Sequence, residues 1–250
     1  MSKNALRLPS IILFSIVALY SCVLTPLREY LATDFVLCDS IWFAIVDLCW
    51  MHLNVIASMS LLIFVVFGIY RYRLRGSKPV LLITLAALLL KYVAAIVSIS
   101  IEYGSLDLTG GLVAFLVNFL IELALIALVV YLTHRSVSSY QLQYEEKLAA
   151  AKKLERPFEE QPIYPFQRVF SLKNPLQRIF FICVLTVALT QILADIPQTF
   201  QFGIFGVADI LVALASWIVL ILLPAFYSYF LSLTFFKLCD KQAQKDTCEE

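Results

Sequence analysis

The chain has 250 residues, of which 61% are hydrophobic, and a mean hydropathy of +0.87. Soluble domains carry about 45–50% apolar residues, so a water-soluble globule is excluded and the long apolar runs demand a bilayer. The net charge of +1 says little, since its distribution across the membrane matters more, and the five Glu of the stretch 136–173 argue against nucleic-acid partners.

Lys3 and Arg7 precede the apolar run Ile11–Leu24. Left uncleaved, this is a first span over 9–26, entered from the cytoplasmic side. The competing reading is a signal peptide. Leu19-Tyr20-Ser21-Cys22 makes a poor lipoprotein cleavage site, because a Tyr stands two residues before the Cys. Arg28 to Asp47 is acidic, and its apolar patch is too short to span. Asp39 or Ser40 is placed to cap a helix that starts at the interface near residue 40 and becomes a second span over 51–70. Trp42 and Trp50 suit the outer aromatic belt. Arg71, Arg73, Arg75 and Lys78 stop this span on the inside.

Pro79 opens a third span, 79–102, at a position where its missing N–H is not needed. Glu102 and Asp107 mark an outer turn, and a fourth span over 111–133 returns to His134 and Arg135. The segment 134–173 is the one sizeable aqueous stretch. Tyr140, Tyr144, Leu148, Ala151 and Leu154 recur at helical spacing and predict an amphipathic helix. Pro157, Pro162 and Pro165 keep the chain beyond that helix extended. Asn174-Pro175 is a helix-start pair for a fifth span, 175–196. A sixth runs over 207–236 with a kink expected at Pro224, and a polar tail, 237–250, closes the chain.

Seventeen of the 19 Lys and Arg fall on the segments assigned inside, and only Arg28 falls outside. The outer acids are Glu29, Asp34, Asp39, Asp47, Glu102, Asp107, Asp195 and Asp209. This asymmetry orients the chain. The expectation is an all-α polytopic integral membrane protein, one domain of six transmembrane helices, N-in and C-in, in a bacterial cytoplasmic membrane. Strands of a membrane barrel would alternate in polarity over about ten residues, and no segment here does.

Two full charges interrupt the spans: Lys91 in the third and Glu122 in the fourth. Each lies about eleven residues from the turn that joins them, so at about 1.5 Å per residue they reach the same depth. A lone charge near the midplane costs about 2.5–3.5 kcal/mol, and pairing offsets much of it. Lys91 shares a stripe with Thr84, Ala87, Ala95 and Ser98; Glu122 shares one with Gly111, Ala114 and Asn118. Small and polar stripes mark helix contacts in lipid. Other spans add Asp47, Asn54 and Ser58; Cys183, Thr186, Thr190, Gln191 and Asp195; and Asp209, Ala213 and Ser216. The candidate intramembrane polar site is therefore Lys91, Glu122, Asn118, Asn54, Gln191 and Asp209.

The six Cys show no metal-type spacing, and the two His are placed on opposite faces of the membrane. No metal, cofactor or catalytic residue is expected, and the pattern leans away from an enzyme. Cys38 and Cys49 can bridge only if Cys38 lies off the helix. Two functional readings remain. The favoured one is a small transporter, or the membrane subunit of a transport complex, with a buried Lys91–Glu122 pair, acting on an unidentified solute or cation. The other is a non-catalytic scaffold or sensor that docks a protein partner through 136–173. A carrier requires a wet cavity reaching Lys91 or Glu122, and a scaffold requires that pair packed and dry. An intramembrane enzyme, disfavoured, requires two convergent catalytic groups.

Overall fold

The computed structural model describes residues 6–33, 40–72, 77–103, 116–135, 181–189 and 207–238, with Ser138, Ile179 and Ile192. Every described segment is helical. We label them α1 (Arg7–Thr33), α2 (Ile41–Tyr72), α3 (Ser77–Tyr103), α4 (Leu116–Arg135), α5 (181–189) and α6 (Val207–Ser232). Among the described residues, four helices are long and apolar enough to cross a membrane: Arg7–Thr33, Ile41–Ile69, Leu116–Arg135 and Trp217–Phe235. The chain is thus a helical membrane protein. The amphipathic stretch predicted at 140–154, Cys38 and Gln191 lie outside the described residues.

α1 runs further than the sequence suggests. It passes Pro26 and ends at Thr33, so Arg28 and Glu29 stand on the helix rather than in a loop. A proline inside a helix removes one N–H and crowds the carbonyl four residues earlier, here that of Cys22. The chain accommodates this by widening to a π-helix over Leu19–Leu24. The Thr25 N–H donates to the Tyr20 carbonyl, and the Thr25 hydroxyl donates to the same oxygen at 2.9 Å. The wide turn leaves Tyr20 and Ser21 buried.

α2 begins at Ser40, whose Oγ accepts from the Phe43 N–H at 3.2 Å, a side-chain cap of the usual kind. At 32 residues it is about 48 Å long, well over the roughly 30 Å of bilayer hydrocarbon. Its first turns expose Ile41, Trp42, Ile45 and Leu48. From Val55 to Ile69 it is buried on all sides, with Met59, Ile63, Phe64 and Val65 fully covered. A helix apolar around its whole circumference belongs in the middle of a bundle. α2 is that central column, touching α1, α3 and α6.

The remaining helices pack around it. Phe64 and Phe67 of α2 meet Phe235, with ring centroids 6.0 and 6.2 Å apart. His52 Nδ1 and the Tyr227 hydroxyl lie 2.6 Å apart and tie α2 to α6. Cys183, Val184 and Val187 of α5 join the same core. α6 carries Pro224 in its interior and ends in a π turn over Leu233–Leu238.

Candidate functional site

Lys91 of α3 is buried, above Thr84 and Ala87 on the same buried stripe. Glu122 of α4 faces it at equal depth, and the ammonium and Oε1 are 2.5 Å apart. Side-chain exposure is 5% for Lys91 and 20% for Glu122, so this pair is shielded from the surroundings. α2 supplies a third member. Lys91 Nζ donates to Ser58 Oγ at 2.9 Å, and the Ser58 hydroxyl donates to Glu122 Oε1 at 2.8 Å. The three groups close a ring of hydrogen bonds that joins α2, α3 and α4.

Aromatic rings cover the ammonium. The Tyr20 ring of α1 is 5.6 Å from Lys91 Nζ and the Tyr92 ring is 5.5 Å away, both within cation–π reach. The widened turn of α1 is what brings Tyr20 there. Among the described residues, Glu122 Oε2 is buried and makes no hydrogen bond.

A second polar cluster lies nearer the start of α2. Arg28 Nε donates to Asp47 at 2.6 Å, and an Arg28 amino group donates to Glu29 at 2.8 Å. The guanidinium stacks 4.6 Å from the Trp50 ring. Trp50 Nε1 donates to Thr25 Oγ1 at 3.1 Å, and its ring lies 5.9 Å from Tyr20. Aromatic contacts thus link the exposed ion pair to the buried one.

Of the candidates read from sequence, Lys91 and Glu122 are brought together. Asn118 is not: it is exposed on α4. α4 touches the bundle along a narrow stripe, and four residues at 3.6 per turn carry Asn118 about 40° off the line of Glu122. Asn54 is half-buried on α2 and stays outside the ring. Asp209 sits in the first turn of α6. Cys49 is a free, exposed thiol.

Ser58, Tyr20 and Tyr92 were missing from the candidate set. The signal for Ser58 was its place on the Asp47–Asn54 face, inside an otherwise apolar run. Most buried hydroxyls of the bundle turn back on their own helix. Ser21 donates to Val17, Ser60 to Ala57, Thr84 to Val80 and Ser228 to Ala225, at 2.8–2.9 Å. Thr186 of the predicted α5 stripe donates to Ile182 at 2.5 Å. Hydroxyls spent this way satisfy backbone carbonyls of their own helix. Ser58 departs from that habit by giving its proton to Glu122.

Among the described residues no group of His, Cys, Asp or Glu is arranged to hold a metal. A groove of about 520 Å³ between α3 and α4 reaches Leu88 and Leu123, but neither Lys91 nor Glu122 lines it. No protein-family model matches the chain, and no curated protein or solved structure matches it at a significant level.

Proposed function

We propose that this protein works through interactions rather than catalysis or carriage. It is a six-span, N-in and C-in scaffold or sensor of a cytoplasmic membrane, in which Lys91 and Glu122 form a structural lock. The charge asymmetry of the loops supports the topology. One observation carries the reading of the site: the Lys91 ammonium, 5% exposed, is spent on Glu122 Oε1 and Ser58. A carrier site needs at least one group free for its cargo. Partner docking through 136–173 belongs to this reading.

The transport reading, for a solute or cation, keeps one specific support. Among the described residues, Glu122 Oε2 is a buried acceptor without a hydrogen bond, and such an oxygen is where a proton or cation would go. The two readings separate on water access. Ser58→Cys places a small thiol inside the ring. In native membranes, with the other cysteines replaced by serine, a membrane-impermeant thiol reagent should leave it unlabelled from either side. Rapid labelling would sink the lock reading and favour transport.

A further inference from the structure

The groove between α3 and α4 has chemistry of its own. Leu81, Leu85 and Leu88 form one wall, and Ile126, Ala127 and Val130 form the other. Thr84 also lines it, but its hydroxyl donates to the Val80 carbonyl at 2.8 Å. The walls therefore suit hydrocarbon and reward no polar solute. His134 and Arg135 stand exposed at one end.

The ion pair fixes the register of the two helices. Lys78 stands thirteen residues before Lys91, and Arg135 thirteen residues after Glu122. At about 1.5 Å per residue both are about 20 Å from the pair, at one level. Lys78 is exposed as well. His134 and Arg135 line the mouth of this apolar slot, and the helical rise brings Lys78 of α3 to the same level. From Leu123 to Arg135 the slot is about 18 Å long, close to the depth of one leaflet, about half of a 30 Å core.

We propose that the groove holds one anionic phospholipid. An acyl chain lies between α3 and α4, and Lys78, His134 and Arg135 hold the phosphate. Beside the slot, Leu82 and Leu89 of α3 are exposed and give the second acyl chain a surface. A free fatty acid has no second chain to use it. Basic pockets between membrane helices recognise anionic headgroups in this manner. The inference does not depend on whether the buried pair is a lock or a carrier site.

The test is native mass spectrometry after reconstitution into nanodiscs. The discs contain equimolar phosphatidylglycerol and phosphatidylcholine with matched acyl chains. One phosphatidylglycerol should remain per chain, in preference to phosphatidylcholine. Lys78→Gln and Arg135→Gln, both at exposed positions, should each lower that preference about five-fold. Ala127→Trp, or Leu85→Trp on the opposite wall, fills the slot and should abolish retention with the charges intact. Four outcomes would overturn the proposal: equal retention of both lipids, no retained lipid, a fatty acid in the lipid's place, or phosphatidylglycerol retained unchanged by both tryptophan variants.

Discussion

Gly68 of α2 and Val80 of α3 approach so closely that a Cβ on Gly68 would stand 2.5 Å from Val80 Cγ2 and 2.6 Å from Cγ1. A β-branched side chain held in a helix cannot swing both methyls away. Counting from this contact, Ser58 lies ten residues back along α2 and Lys91 eleven residues on along α3. The glycine thus sets the register that delivers the serine to the ammonium. Gly68→Ala should lower stability by about 1–3 kcal/mol, the usual cost of overpacking. Gly68→Ala with Val80→Ala should recover most of it. Thermal unfolding in detergent measures both, and an unperturbed single variant would mean that the helices do not meet there.

Removing one charge of the buried pair is predicted to cost far more than removing both. Glu122→Gln leaves the Lys91 ammonium buried beside Ser58 and two aromatic rings, without its counter-charge. Breaking a buried pair in this way typically costs about 3–5 kcal/mol. Lys91→Met with Glu122→Leu deletes both charges at similar volume and should be near neutral in stability. Exchanging the two, Lys91→Glu with Glu122→Lys, should restore part of the loss. Unfolding midpoints of the three variants decide the matter. If Glu122→Gln is as stable as the parent, the pair does not hold the bundle.

The sequence made the pair legible because depth is counted along the chain. Two helices joined by a short turn share a level, and a charge in oil needs a partner. The ring around the pair was less legible. Ser58 and Tyr20 come from helices whose rotation about their axes is set by packing, and no local pattern states that rotation. Tyr20 was hidden further by the π turn, a change of phase forced by Pro26 and absorbed by Thr25. Asn118 failed for the opposite reason. Its spacing from Glu122 is helical, yet α4 leans on the bundle with too narrow a stripe to cover both. That α2 is the central column was visible only as an apolar run after Asn54, interrupted by Ser58 and Ser60.

The Arg28–Asp47 pair should behave unlike the buried one. Its side chains are 28% and 44% exposed, so water and salt screen it. Exposed pairs contribute about 0–1 kcal/mol, and Arg28 keeps Glu29 and the Trp50 ring when Asp47 is lost. Asp47→Asn should therefore shift unfolding only slightly, and the shift should shrink as salt is raised. A large, salt-independent loss would show that this corner of α1 and α2 is sealed from water.

Thr25 couples the two helices through one oxygen. It accepts from the Trp50 indole at 3.1 Å and donates to the Tyr20 carbonyl at 2.9 Å. Thr25→Val keeps the shape and removes both bonds, while the Thr25 backbone N–H still serves Tyr20. Thr25→Ser keeps the hydroxyl and should be nearly silent. Hydrogen bonds between membrane helices are worth about 0.6 kcal/mol on average in double-mutant cycles. A cycle of Thr25→Val with Trp50→Phe should give a coupling of that order, read from unfolding midpoints in detergent. Strict additivity would mean that the indole finds its acceptor elsewhere. α1 would then be held against α2 by the Arg28 corner and apolar packing alone, and the placement of Tyr20 over Lys91 would owe nothing to Trp50.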